Sequence, residues 1–517
     1  MAPRNVLFLM TDQHRVDTLG CYGNPLVDTP ALDALAAEGT RFDRFYTPTA
    51  ICTPARASLA TGLHPFRHGM LNNPERNGGS KDELSDESPM LWRQLMDRGY
   101  QVGHAGKWHI GRERGPEFYG LDGEHLPGAL NPVHHPSYEK WLEDNGFPPF
   151  AVHEPVFGTA ANGTGRGHLI AGRLQQPVEA TIEAFLTDRT LALLDRYAAD
   201  WKADGTPFML SCHWYGPHLP YLIPDQYYDL YDPDDVPLPA SMAETFAGKP
   251  DVQRQYSAYW SSDDFDAAAW RKLIAVYWGY VTMIDHQVGR LTDALREHGL
   301  WDDTAVFFTA DHGEFTGAHR LNDKGPAMYE DIYRIPAIAR VPGAPARVDD
   351  DFANLIDLNP TILELAGVPV PELCDGESLL PLLNGENPET GENPGNGESP
   401  GNAESSGTSA RSNRDEIVAE FHGHHFPYSQ RMLRDRRHKL VHNPESVHEL
   451  YDLETDPHEL HNVYEAPAYA GVRRDLTVRL YRELLRRGDP AYTWMSYMAD
   501  IGGDRAADVD GVAEEVA

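Results

Sequence analysis

Lysine is nearly missing from this chain. Its 517 residues contain eight lysines, so arginine supplies 36 of the 44 basic side chains, against 79 acidic ones, and the formal net charge is −35. A basic surface broad enough for a nucleic-acid polyanion is therefore excluded. An anionic small molecule is not excluded, but it needs cations concentrated locally against the global field. An acidic, lysine-poor composition fits a high-salt cytoplasm or a high-GC genome. Cysteine is just as scarce. Cys21, Cys52, Cys212 and Cys374 are widely spaced, which gives neither a zinc-finger pattern nor a dense disulfide framework. Long apolar runs are also lacking. No stretch reaches the roughly 20 residues of a membrane span, and Val6 to Met10 is too short for a signal-peptide core. Together these absences predict a soluble, cytoplasmic protein with no membrane partner.

What is present is a core-forming 41% of hydrophobic residues and an alternation of short apolar runs with helical patterns. Strands are predicted at Asn5–Met10, Tyr100–Ala105, Pro207–Trp214 and Thr304–Ala310, and helices at Thr29–Ala37, Val178–Tyr197 and Ala267–His298. This order predicts an α/β fold with a large, mostly parallel sheet. Polar clusters follow the carboxyl ends of the strands, where open α/β sheets build their sites. Residues 384–415 (NGENPETGENPGNGESPGNAESSGTSARSNRD) contain nothing to anchor a core and read as a disordered insertion. It separates an N-terminal α/β domain, 1–383, from a smaller C-terminal α+β subdomain with an acidic tail, 416–517. Within that subdomain IVAEF, HKLVH and ELYDL read as strands and Val472–Arg487 as a helix, with a fraying end.

One short stretch raises a chemical question. Residues 50–62, AICTPARASLATG, place a rare cysteine beside a helix start. Thr53 is suited to cap that helix, Pro54 to occupy its first turn and Gly62 to end it. A lone cysteine is ordinarily a buried, inert residue, but its flanks here are distinctive. Cys-x-Pro-x-Arg followed by Ala-Ser-Leu-x-Thr-Gly resembles the signature of the type I, formylglycine-dependent sulfatases of the alkaline phosphatase superfamily. The resemblance extends from Asn5 to about Val463 in NVLFLMTDQHR, TPALDALAAEG, GKWHIG, PHLP, DGESLLPLLNG and HELYDLETDPHELHNV.

The resemblance implies an alkaline phosphatase-like fold, a sulfuric ester hydrolase activity and a set of residue roles. Cys52 would be converted to formylglycine by a formylglycine-generating maturation enzyme, and its hydrate would attack a small-molecule or saccharide sulfate ester through a sulfo-enzyme intermediate. Asp12, Gln13, Asp311 and His312, with residue 52, would hold one divalent metal. Mostly oxygen donors favour Ca²⁺ or Mg²⁺ and the imidazole also admits Mn²⁺; Ca²⁺ is the reading adopted. Arg56 would support the hydroxyl at position 52, with Lys107 and Lys324 on the sulfate. His109 would serve the later elimination, His218 would face the leaving oxygen, and Asn73 (with Asn72 equally available) would touch a substrate oxygen. Lys107 and His109, two apart on an expected strand, would point the same way. His213 reads as structural. His422, His424, His425, Tyr428 and Gln430, in FHGHHFPYSQ, are candidates for the pocket mouth. Two alternatives stay open. The pairs Asp12-Gln13 and Asp311-His312 resemble the phosphonate monoester and phosphodiester hydrolases of the same superfamily, which usually lack the Lys/His pair. An unmodified homologue would be an inactive binding protein.

Overall fold

A computed structural model describes residues 5–76, 80–128, 131–159, 165–385, 414–444, 446–493 and 495. The first strand, Asn5–Asp12, is buried at every position, and its alternating side chains feed two cores. Leu7 and Leu9 enter one, while Val6, Phe8 and Met10 enter the other. Such double burial is what a parallel strand covered by helices on both faces requires. The first core is closed by the helices Pro30–Glu38, Ile182–Asp204 and Ala267–Glu297. The second is closed by Cys52–Thr61, Leu91–Met96 and Leu358–Leu365.

The sheet has eight strands, in the order Arg347–Asn354, Thr40–Tyr46, Ala337–Arg340, Thr304–Ala310, Asn5–Asp12, Phe208–Pro217, Gln101–Gly106 and Asp122–Gly123. Only Ala337–Arg340 runs against its neighbours. The three strands that matter most lie side by side, with Thr11 opposite Ala310 and Met10 opposite His213. Their carboxyl ends therefore meet along one rim of the sheet.

A second sheet of four antiparallel strands, Glu416–Phe421, Gln430–Asp435, His438–His442 and Glu449–Asp452, follows. Val418, Leu433, Leu440 and Leu450 on one face pack against the helix Ala470–Arg487. Ile417, Ala419, Phe421 and Met432 on the other face join the first main core. Buried Lys439 ties the two parts together, 2.7 Å from Glu330 and 2.8 Å from Glu459.

The predicted strands and long helices are present with shifted ends. The helix expected from Val178 starts at Ile182, because the Thr181 hydroxyl accepts the Ala184 N–H and fixes the cap there. A three-stranded sheet of Val152–Thr159, Arg166–Leu174 and Tyr221–Pro224 was not anticipated, nor was the strand Gln430–Asp435. The segment read as a disordered insertion lies outside the described residues except for Asn384, Gly385, Arg414 and Asp415, and the acidic tail lies outside them too. Among the described residues no helix is long and apolar enough to cross a membrane.

Where Gln101–Gly106 ends, Gly106 takes φ +108°, and a Cβ there would collide with the His213 carbonyl oxygen. That oxygen accepts the Lys107 N–H at 2.8 Å, so the glycine sets the exit of the chain toward Lys107. Gly106→Ala is expected to lose about 2–4 kcal/mol of stability in a denaturant titration, from strain and overpacking together.

Candidate active site and metal centre

The helix Cys52–Thr61 is buried all round, which the small residues Ala55, Ala57, Ser58 and Ala60 permit. Ile51, in extended conformation, is its N-cap, and Cys52 is its first residue. The expectation that Thr53 caps the helix is therefore corrected, because Thr53 lies inside the first turn. Its own N–H donates to Asn73 Oδ1 at 3.0 Å, so a side chain brought from a distant segment serves as the cap. This also changes the place of Asn73, whose carbonyl oxygen is engaged by the backbone. Gly62 ends the helix at φ +70°.

Cys52 faces the sheet rim. Its Sγ lies 3.2 Å from His312 Nε2 and 3.9 Å from Asp12 Oδ1. Asp12, Cys52, Asp311 and His312 each present a ligand atom within 4.8 Å of the others, and all four are buried. His312 Nδ1 is 2.9 Å from the Gly313 carbonyl oxygen. A carbonyl only accepts, so Nδ1 carries the hydrogen and Nε2 is turned toward Cys52. Gln13 leaves the strand with φ +63° and donates its N–H to Asp311 Oδ1 at 3.0 Å. Its amide is held between Glu314 and Lys324.

Cations surround these anions. Arg56 reaches Asp311 Oδ2 at 2.9 Å, Asp12 Oδ2 at 3.0 Å and the Lys107 carbonyl at 2.7 Å. The Lys107 ammonium is 2.6 Å from Asp12 Oδ2. Lys324 Nζ is 2.8 Å from His218 Nε2, 3.0 Å from Gln13 Oε1 and 3.1 Å from Asp323 Oδ1. Lys107 and His109 do not share a strand as expected. The strand stops at Gly106 and His109 takes φ +50°, so a turning loop aims both inward. His109 Nε2 lies 3.4 Å from Glu75 Oε2. Its Nδ1 is buried without a hydrogen bond, and the ring is close enough to Cys52 to favour the thiolate.

The electrostatics follow from burial and charge together. Burial alone would push the Cys52 thiol up, but Lys107, Lys324 and His312 outweigh it and hold it well below its ordinary value. Burial and Cys52 push Asp12 up, while Lys107, His218 and Arg56 pull it below the usual carboxylate range. Burial and neighbouring Asp12 hold Asp311 up. Burial lowers His312, yet Asp311 and Cys52 raise it to about 9. The donor set of two carboxylates, one imidazole nitrogen and position 52 fits a divalent cation, with Gln13 Oε1 already bonded to Lys324.

The structure thus gathers Asp12, Gln13, Cys52, Arg56, Lys107, His109, His218, Asp311, His312 and Lys324 around one point. Asn73 lies on the adjoining cavity wall, with His424 and His425, and His422 and Tyr428 line an outer cavity. Gln430 does not belong with them. It is buried in the second sheet, donating to Asn443 Oδ1 at 2.8 Å. His213 packs edge-on against His104, ring centroids 4.6 Å apart, as a structural residue does. Three residues escaped the sequence reading: Glu75 beside His109, Asp323 beside Lys324, and Glu314 beside Gln13, the last raised to about 8 by burial and then by Asp323. A single acidic residue in a loop carries no signal of this kind.

A family model described as Sulfatase matches residues 4–368, and one described as N-sulphoglucosamine sulphohydrolase, C-terminal, matches residues 406–486. The uncharacterized sulfatase YidJ of Escherichia coli (strain K12) is 30% identical over 493 residues, covering 95% of this chain and 89% of that protein. Arylsulfatase A of Homo sapiens is 32% identical over 411 residues, covering 74% of this chain and 68% of its own. Among solved structures, a phosphonate monoester hydrolase of Agrobacterium radiobacter superposes with a TM-score of 0.74 at 27% identity, covering 94% of this chain and 96% of that one.

Arg56 neutralises two buried carboxylates at once. Arg56→Met is expected to lose about 3–5 kcal/mol of stability in denaturant unfolding of the apo protein. Adding Asp311→Asn to the same chain should recover part of that loss, because Asp311 then no longer carries an unpaired charge while Asp12 keeps Lys107 as its partner.

Proposed function

We propose that this chain, which belongs to the sulfatase family of the alkaline phosphatase superfamily and is a sulfuric ester hydrolase, works through a formylglycine made from Cys52 beside one divalent metal. The observation that carries the proposal is Cys52 at the start of a buried helix, 3.2 Å from His312 and 3.9 Å from Asp12, in the flanking sequence CTPARASLATG. A buried thiol held among cations and metal-ligand side chains has no packing reason to be there. The maturation enzyme is the implied partner, and the hydrated aldehyde would supply an oxygen nucleophile and a second hydroxyl through which sulfate can leave. Asp12, Asp311 and His312, joined by residue 52, would hold the metal, taken as Ca²⁺, which would polarise the sulfuryl oxygens; Gln13 would join them only on exchanging its bond to Lys324.

The remaining work falls to side chains of the chain. Lys107 and Lys324 supply positive charge on two sides of the site and bind the sulfate oxygens. His218 Nε2 accepts from the Lys324 ammonium at 2.8 Å, and the pair would pass a proton to the leaving alkoxide. His109, beside residue 52 and anchored by Glu75, is placed to accept the proton lost as sulfate departs. Arg56 keeps the two carboxylates in place and ionised. Intact-mass measurement tests the first step: co-production with the maturation enzyme should lower the mass by about 18 Da, thiol exchanged for carbonyl. Cys52→Ser should keep its calculated mass and lose turnover. An unchanged Cys52 in a catalytically silent protein would favour the binding-homologue reading instead.

A second reading, hydrolysis of phosphonate monoesters or phosphodiesters, is favoured by Asp12-Gln13 and Asp311-His312 and by the likeness to the phosphonate monoester hydrolase. Lys107 and His109 support the sulfate ester. Side-by-side kinetics on an aryl sulfate and an aryl phosphodiester rank the two; the higher kcat/KM is expected for the sulfate, and the reverse order would overturn it.

A further inference from the structure

The walls of the approach to the site are poor in positive charge. An inner cavity of about 690 Å³ opens beside His218 and Lys324, and an outer one of about 800 Å³ shares Glu75 and His425 with it. Among the described residues lining either cavity, Lys324 is the sole lysine or arginine. Its ammonium is turned to Gln13, His218 and Asp323, where the ester sulfate would sit. The other formal charges in the walls are the carboxylates of Glu75 and Asp323.

The rest of the wall is aromatic or hydrogen-bonding. His168 packs on Trp260 and on Tyr259, with ring centroids 4.4 Å and 4.9 Å apart, and His425 lies 4.8 Å from Tyr259. These rings come from three separate parts of the chain: the strand Arg166–Leu174, the end of the helix Asp251–Tyr259, and the loop before Gln430. Polar groups lining the same inner cavity are Asn73, Asn131 and His424. His424 is 4% exposed and its Nδ1 is buried without a hydrogen-bond partner. Burial and neighbouring His425 hold its pKa well below the ordinary value, so it offers a neutral imidazole.

We propose that the alcohol released by this enzyme is an uncharged, polyhydroxylated ring, so that the substrate is a neutral sugar bearing a single sulfate. The inference rests on the sulfatase reading and deepens it. Such a ring packs against Trp260 in the inner cavity, and its hydroxyls meet Asn131 and His424, whose Nδ1 is without a hydrogen-bond partner. Among the described wall residues a second sulfate or a carboxylate on the substrate finds no further counter-cation and is brought toward Glu75 and Asp323. An anion stripped of water without a partner is rejected.

The test uses the matured, metal-replete full chain with four methyl glucoside monosulfates (2-, 3-, 4- and 6-), their disulfates, and an aryl sulfate as reference. At least one monosulfate should be hydrolysed with kcat/KM roughly tenfold to a hundredfold above any disulfate containing it. Trp260→Ala should raise KM for that monosulfate more than for an acyclic alkyl sulfate. Ser429→Lys, which places a cation on the outer wall, should shrink the monosulfate-to-disulfate ratio. Equal or greater turnover of the disulfates overturns the proposal, as does hydrolysis of the aryl sulfate with none of the sugar monosulfates. If no sulfate ester of any kind is turned over, the sulfatase reading itself fails, and this inference with it.

Discussion

Everything at the rim of the main sheet depends on one electrostatic constraint: anions have been buried there and must be neutralised. Asp12 and Asp311 are both fully enclosed, at the ends of neighbouring strands, with a thiolate-prone Cys52 against them. Two such carboxylates repel, and burial penalises each. Arg56 answers with a fork that touches both, and Lys107 adds a second cation on Asp12. The same balance explains why the helix carrying Cys52 and Arg56 is built of small residues. It has to sink into the core far enough for a guanidinium four residues along to pass beneath the cysteine.

Parallel topology then does the assembling. Asn5–Asp12 lies between Thr304–Ala310 and Phe208–Pro217, and all three run the same way. Polar residues that follow neighbouring strands, such as Gln13 and Asp311, are 298 positions apart in sequence and 3.0 Å apart in space. The second sheet adds a different ingredient. Its loop carrying His422, His424 and His425 is laid over the rim, while buried Lys439 and the shared apolar core hold the sheet to the main body. The buried charges at the rim thus come from one part of the chain and part of the surrounding wall from another.

A net charge of −35 and a site for an anion coexist because electrostatic fields are local and screened. Lys107, Lys324 and Arg56, three of only 44 basic residues, are enclosed at one point, where low polarity magnifies their effect. A few residues outward the cavity walls return to the carboxylates and aromatic rings typical of the remainder. Those three cations are matched by the buried carboxylates Asp12, Asp311 and Asp323, so positive charge is offered over the dimensions of one small anion and not over those of a polyanion.

How much of this was legible in the chain itself depends on the range of the physics involved. Apolar runs of five to ten residues, Gly62 after a helix and the fixed spacing within CTPARASLATG are local features, and they are enough to locate the central strands, the long helices and the helix that begins at Cys52. The family pattern extended the list to His218 and Lys324. Tertiary structure decided what no local rule contains. Asn73 became a helix cap because folding carried it to Thr53; Glu75 met His109, and Glu314 met Gln13, because separate segments converged at the rim. Gln430 turned away into a sheet because strand pairing outweighed its place in a histidine-rich loop. Backbone propensity and side-chain periodicity act over a few residues, whereas charge compensation and cavity walls are set by distances in space, which only the packed chain defines.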